Sequence, residues 1–289
     1  MELRKLLDIY IESNRRIQSP QTIRVYRIAL KQLKEAIGHE PTTADLTDQS
    51  LISLEKHLVG RSAYTINERT GRIKALWRWA VFRGHTRKGP TLARLPVHDP
   101  YKRAWTHQEM MQIIRAAKNM STGPYDGVPA DKWWSAWVLV QYETGERTGA
   151  LLQTRWDWLV DHVLEVPPHA RKGRKSAVYR LSDTAVDLLD AMKEPKRVLV
   201  WPWPMSPSAY YLHFSKLLKL SGLPDGRKNK GQRIRRTHLT FWQKGGGDAT
   251  QRAQHTSVGI TQRFYLDDTL LDHHDPYRFI PRILPVPDR

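Results

Sequence analysis

The chain has no cysteine. Disulfides, Cys-based zinc sites, iron–sulfur clusters and thiol nucleophiles are therefore excluded. No apolar run approaches the roughly 20 residues a helix needs to span a bilayer. The opening stretch, MELRKLLDIY, breaks its apolar residues with charge and does not read as a secretory signal. Together these absences read as a cytoplasmic protein, nucleoid-associated if bacterial, with no membrane partner. There is no GxxxxGK[ST] loop for nucleotide hydrolysis, no HExxH and no GxSxG. Internal repeats and low-complexity tracts are missing as well. Acidic side chains are scarce beside basic ones: 29 Asp and Glu face 47 Lys and Arg, a net charge of +18. Such an excess opposes folding by self-repulsion and favours a polyanionic partner, usually nucleic acid or an anionic membrane surface.

What is present is ample apolar matter. Forty per cent of the 289 residues are hydrophobic, enough for one or two folded domains and too much for a disordered chain. The charge is not confined to a tail. Residues 1–100 hold 18 basic and 10 acidic side chains, a net of +8, and the remainder holds 29 and 19, a net of +10. Both halves are therefore expected to face the same polyanion.

Residues 1–90 read as a helical domain. Ser19 and Pro20 offer an N-cap and first turn, and Gly38 a stop. Between them Ile23, Tyr26, Leu30, Leu33 and Ile37 recur at helical spacing. Arg24, Arg27, Lys31 and Lys34 repeat one position on, a basic stripe able to meet phosphates beside the apolar seam. A second helix is expected from about Thr65, with Glu68 completing a capping box and Gly84 ending it. Ile73, Leu76, Trp77 and Ala80 give its apolar side; Arg69, Arg72, Lys74, Arg78 and Arg83 make it basic.

Periodicity fades over residues 85–104, where three prolines interrupt a basic stretch, and residues 91–104 read as a linker. Residues 105–289 read as a mixed domain with a C-terminal tail from about 267. Thr106 and Glu109 open a helix as a capping box. A longer apolar helix covers roughly 132–143. WLVDHVLEVP, AVYRL and RVLVWP look like short strands, and Ser206 and Pro207 cap a helix running to about Ser221. The expected fold is mainly α with a small β-sheet. Adjacent His273 and His274, flanked by Asp272 and Asp275, are poorly spaced for one ion, so no metal is assigned there or elsewhere.

A set of cationic and hydroxyl residues stands out in the second domain. Arg147 lies in TGERTGALL, Lys172 in RKGRKSAVYRLS, Arg235 in QRIRRTHLT, and His255 and Tyr265 in GGGDATQRAQHTSVGITQRFYLD. Taken in order, they resemble the tyrosine recombinases, or phage integrase family. TGERTGALL echoes that family's TGLRxSELL, with its first catalytic Arg on Arg147, and the following RWDWL resembles RWsDi. RKGRKSAVYRLS echoes the β-hairpin signature TKxGKxRxVPLS, with the catalytic Lys on Lys172. IRRTHLT aligns without a gap with LRHTFAT and puts the second Arg on Arg235. The His of the LGHSS box falls on His255 and the nucleophile on Tyr265. The resemblance spans residues 106–266 and extends, more loosely, to the N-terminal domain, which is similar to the family's helical core-binding domain.

Two positions depart from the family pattern. Ala150 replaces the usual Glu three residues after the first Arg. Gln232 replaces the His of the HxxR motif, and Gln cannot take up a proton near neutral pH. A one-residue shift of frame makes Arg236 a rival to Arg235.

The resemblance implies a site-specific recombinase that cleaves and rejoins duplex DNA through a 3′-phosphotyrosine link, with no metal, cofactor or ATP, inside a tetramer on paired DNA sites. A monomer without DNA is compatible with it. The chemistry suits the residues. A phosphodiester transition state crowds negative charge onto oxygen, and two arginines answer it with bidentate hydrogen bonds. A free tyrosine is ionised to only about one part in a thousand at neutral pH, and nearby guanidiniums raise that share. Lys172 would protonate the departing 5′ oxygen and His255 would hydrogen-bond the phosphate. The group that deprotonates Tyr265 is unassigned. DNA contacts are expected from Arg24, Arg27, Lys31, Lys34, Arg69, Arg72, Lys74, Arg78, Arg171, Arg174, Lys175, Arg227, Lys228, Lys230 and Arg233. Ile280, Ile283, Leu284 and Val286 would let the tail dock on a neighbouring subunit or on its own chain. Two alternatives share these residues: a family member that binds DNA but cleaves weakly, and a relaxase resembling type IB topoisomerases. The pattern leaves integration, excision and resolution equally open.

Overall fold

The computed structural model describes residues 1–14, 17, 19–97 and 102–271. The chain divides into two compact units, Met1–Asp99 and Pro100–Arg289. Among the described residues no helix is long and apolar enough to cross a membrane. The architecture is mainly helical with one small antiparallel sheet, as the sequence reads.

Among its described residues the first unit holds four α-helices: α1 (Leu3–Ser13), α2 (Pro20–Ile37), α3 (Asp48–His57) and α4 (Ala63–Phe82). Helix α2 starts and stops where expected, although the Ser19 side chain makes no capping hydrogen bond. Pro20 takes the first turn, and Gly38, with φ of +82°, closes the helix in the left-handed region that glycine enters without strain. Its seam packs Tyr26, Leu30 and Leu33 into a core shared with Leu3, Leu6, Leu51, Leu54, Ile73, Leu76 and Trp77. Each leucine buried there contributes roughly 1.5–3 kcal/mol. The stripe Arg24, Arg27, Lys31 and Lys34 is exposed beside that seam.

Helix α4 differs from expectation at its start. It begins at Ala63, and the Ser62 hydroxyl, not Thr65, caps it by accepting from the Thr65 N–H at 3.2 Å. Glu68 is thereby free of capping and instead pairs with Arg69 at 2.9 Å and Arg72 at 3.8 Å. Residues 91–95, expected in the linker, are fastened to this unit. Asp48 accepts from the Thr91 and Leu92 N–H groups, and Asn67 exchanges two hydrogen bonds with the Leu95 backbone.

The second unit opens with α5 (His107–Ala117), capped reciprocally by Thr106 and Glu109 as expected. Helix α6 (Ala130–Thr144) runs through the centre of its core. Trp133, Trp134 and Trp137 meet Trp201, Tyr210 and Phe214 there, and the Trp137 indole N–H donates to the Tyr210 hydroxyl at 3.0 Å. A one-turn helix, α7 (Thr148–Leu151), precedes the sheet β1 (Leu159–Val160), β2 (Val163–Val166) and β3 (Ala177–Arg180), ordered β1-β2-β3. Leu164 pairs with both Leu159 and Tyr179, which fixes the register.

RVLVWP is not a strand. Leu199 makes an isolated bridge to Arg155, while Val200 and Trp201 are buried in the core, so an apolar run here marks an irregular interior segment. Helices α8 (Asp183–Asp190), α9 (Pro207–Leu220), α10 (Gly231–Lys244), α11 (Ala249–Ala253) and α12 (Val258–Tyr265) complete the unit. The segment after α12 is anchored at its start: Asp267, which is buried, accepts from the Ala104 N–H at 2.7 Å. His273, His274, Asp272, Asp275, Ile280, Ile283, Leu284 and Val286 lie outside the described residues.

Candidate active site

Helix α6 ends at Gly145, whose φ is +62° and whose absent Cβ would lie 2.3 Å from the His238 ring. Only glycine fits that approach, and it brings α10 against the end of α6. A second close approach lies at the start of α10, where a Cβ on Gly231 would be 2.6 Å from the Thr148 hydroxyl. These two contacts carry Arg235, on α10, beneath the TGERTG turn that holds Glu146 and Arg147.

Arg235 has a side chain only 2% exposed. Its Nη1 donates to the Gly145 carbonyl at 2.5 Å, and its Nη2 faces the Ala253 carbonyl at 3.4 Å and His255 Nε2 at 3.5 Å. Its Nε has no acceptor among the described residues. Burial depresses its pKa, the like charge of Arg147 adds to that, and Glu146, with Oε1 3.9 Å from Nη1, opposes both. Arg147 sits half-buried at the N-cap of α7 in extended conformation. No carboxylate or carbonyl among the described residues meets its guanidinium. Two cations therefore adjoin each other with donors left over, which is an arrangement that binds an anion.

His255 follows α11. A guanidinium can only donate, so the Nε2 facing Arg235 is an acceptor and the proton sits on Nδ1, which bonds the Thr261 hydroxyl at 2.9 Å. Burial, then Arg235 and Arg147, push its pKa down to about 4, so the ring is neutral at pH 7. Tyr265 ends α12. Its ring centre lies 4.5 Å from that of His255 and 5.3 Å from the Arg235 guanidinium.

Arg147, Arg235, His255 and Tyr265 thus converge. Lys172 does not join them by any hydrogen bond or ion pair; it stands exposed in the loop between β2 and β3. Gln232 is exposed on the first turn of α10. Arg236 turns the other way and donates to the Arg103 carbonyl at 3.0 Å, so Arg235 is the arginine that faces the cluster.

Four of the cations expected on DNA are instead engaged within the protein. Lys74, 5% exposed, donates to the Leu92 and Ala93 carbonyls. Arg171 is buried against Glu146, with Nε 2.6 Å from Oε2. Lys230 is buried and 3.6 Å from Asp225. Arg233 lies 3.4 Å over the Trp105 ring and donates to the Ala104 carbonyl. Arg69 and Arg72 are half-buried partners of Glu68. Arg24, Arg27, Lys31, Lys34, Arg78, Arg174, Lys175, Arg227 and Lys228 remain exposed.

The sequence reading missed Glu146. Its carboxylate is 1% exposed and accepts from the Arg147 N–H at 2.7 Å, from Arg171, and from the Tyr179 hydroxyl at 2.8 Å. Burial alone would raise its pKa; the Arg147 N–H, Arg171 and Arg235 outweigh that and lower it. A carboxylate inside a motif otherwise made of small and cationic residues, in a chain so basic, was the signal available. His238 was missed too. Its Nδ1 donates to the Tyr142 carbonyl at 2.7 Å, and its Nε2 accepts from Arg252 at 3.1 Å.

No family model and no curated protein sequence matches the chain. Solved structures do. A lambda integrase dimer bound to a COC′ core site superposes with a TM-score of 0.69 at 20% identity, covering 89% of this chain and 96% of that one. The Tn1549 transposon integrase in complex with transposon right end DNA gives a TM-score of 0.67 at 14% identity, covering 92% and 95%. The XerH site-specific recombinase bound to a palindromic difH substrate gives 0.66 at 13% identity, covering 91% and 79%. At these identities what is shared is the architecture: the chain has the fold of the tyrosine recombinases.

Proposed function

We propose that this protein is a site-specific DNA recombinase that cleaves and rejoins duplex DNA through a 3′-phosphotyrosine intermediate. The observation that carries the reading is the convergence of two guanidiniums with spare donors, an imidazole and a phenol in one place. In this reading the scissile phosphate lies against Arg147 and the donors that Arg235 has left over. Those donors are fixed before substrate arrives, so little reorganisation is needed as charge develops. The Tyr265 oxygen attacks phosphorus and the 5′ oxygen of deoxyribose departs, taking a proton from Lys172. The phosphodiester energy is kept in the new ester, and rejoining needs no ATP.

His255 takes the Tyr265 proton on its Nε2 lone pair, and the N–H so formed donates to the phosphate. An entering anion also offsets the two cations that hold its pKa down, and so makes it a better base beside Tyr265. Gln232 has no such capacity. Exposed Arg24, Arg27, Lys31, Lys34, Arg78, Arg174, Lys175, Arg227 and Lys228 contact the DNA backbone. A lambda integrase tetramer is known bound to a Holliday junction, and we assign to this chain an equivalent assembly on paired duplex sites.

A second reading, DNA binding with weak or no cleavage, is favoured by Gln232 and by the exposed, unjoined Lys172. One experiment separates the two. Nicked duplexes with a randomised core are incubated with the protein, then denatured. A protein–DNA adduct that vanishes in Tyr265→Phe supports the recombinase; binding without adduct supports the second reading.

A further inference from the structure

We propose that Glu146, Arg171 and Gln254 form a latch that positions the loop carrying Lys172 beside the Arg147–Arg235 pair, which makes Glu146 and Arg171 positioning residues. What the loop does for catalysis rests on the recombinase reading; the latch itself does not.

Arg171 is the residue next to Lys172, yet it points inward with its side chain 3% exposed. Its Nε bonds Glu146 Oε2 at 2.6 Å, its Nη1 donates to the Lys175 carbonyl at 2.9 Å and to Gln254 Oε1 at 2.5 Å, and its Nη2 is 3.4 Å from the Tyr179 hydroxyl. Gln254 closes the ring by donating from Nε2 to the Ser176 carbonyl at 2.7 Å. One side chain therefore ties the middle of the β2–β3 loop to its far end, to β3, and to the residue before His255. The other oxygen of Glu146 holds the Arg147 N–H and lies near Arg235. A single carboxylate thus touches the segments that bear Arg147, Arg235 and Lys172.

A stability role alone accounts poorly for this arrangement. Removing two charges from water costs several kcal/mol per ion, and an apolar pair of equal volume is commonly as stable. An ion pair supplies direction instead: a guanidinium fork fixes the angle of the loop that an apolar contact would leave loose. It also offsets two adjacent guanidiniums, Arg171 and Arg235, with one buried negative charge.

The test uses the full chain. Amide hydrogen exchange is followed by mass spectrometry in peptides covering residues 168–177, for wild type, Glu146→Gln and Gln254→Ala. Adduct formation is measured on the same three proteins. The latch requires exchange in that loop to rise about tenfold or more in both variants while α6 and the first unit stay unchanged. Adduct turnover should fall about tenfold in Glu146→Gln with the half-saturating DNA concentration unaltered. Gln254 is half-buried at the surface, so its variant decides the matter if Glu146→Gln does not fold. Exchange in the loop equal to wild type in the folded variants overturns the latch. A wild type that forms no adduct overturns the recombinase reading and leaves the exchange result to stand by itself.

Discussion

The Arg235 guanidinium stands 5.3 Å from the centre of the Tyr265 ring. The arginine is buried and fixed by two backbone carbonyls; the tyrosine is half-buried at the end of a short helix. A rigid cation beside an accessible phenol can meet an anion without having to move, and the positions of Arg147 and His255 extend the same logic to a bound phosphate.

Arg235→Lys keeps the charge but loses the fork. The three donors of an ammonium sit on one nitrogen, which cannot span the places that Nη1 takes at the Gly145 carbonyl and Nη2 takes at the Ala253 carbonyl and His255. Adduct formation should fall about a hundredfold or more, with DNA affinity changed only a few-fold. Single-turnover adduct kinetics and a binding isotherm on the same DNA measure both. Parallel losses of affinity and turnover would assign Arg235 to binding alone.

Gln232→Ala should be nearly silent, within about threefold in adduct formation. The side chain is exposed and has no hydrogen-bond partner among the described residues. A loss as large as that from Tyr265→Phe would give Gln232 a place in the chemistry.

Stability should decline as the solution is acidified below neutrality. Burial, then Arg252, push the His238 pKa down to about 4, whereas in the unfolded chain it is near 6.5. Between those values the unfolded state binds the extra proton, so the stabilisation is whole above pH 6.5 and is lost as pH falls toward 4. His238 accounts for roughly 3 kcal/mol at most, and His255 is displaced in the same direction. Urea unfolding at pH 7 and pH 5 should show a clear drop in wild type and a smaller one in His238→Phe. Equal drops in the two proteins would remove His238 as the cause.

Salt dependence separates exposed from interior cations. Arg24→Ala combined with Arg27→Ala should reduce the slope of log affinity against log salt by about 2. Lys74→Met should leave the slope alone and lower thermal stability, because Lys74 holds the Leu92 and Ala93 carbonyls. The opposite pattern would exchange their roles.

Much of this was legible in the chain itself. Helix α2 was written in Ser19, Pro20, the apolar seam and Gly38, all of them local signals. Arg147, Arg235, His255 and Tyr265 were found by motif order, which records their shared neighbourhood although periodicity does not. What escaped were pairings between distant segments. Arg171 and Lys74 carry the same charge as the exposed Arg24 and Arg27, and their burial depends on Glu146 and on the residue 92–93 carbonyls arriving from elsewhere. Val200 and Trp201 have strand-like composition but are drawn into an aromatic cluster instead. A sequence window sees residue type and spacing; it does not see which partner the fold delivers.

The central measurement is covalent capture. Nicked duplexes with a randomised core are mixed with wild type and with Tyr265→Phe in the presence of chelator, denatured, and resolved by size. Strand transfer through Tyr265 requires a denaturation-resistant adduct in wild type whose tryptic phosphopeptide contains Tyr265, and none in the variant. Tight DNA binding by wild type with no adduct, or an adduct that persists in Tyr265→Phe, would contradict it.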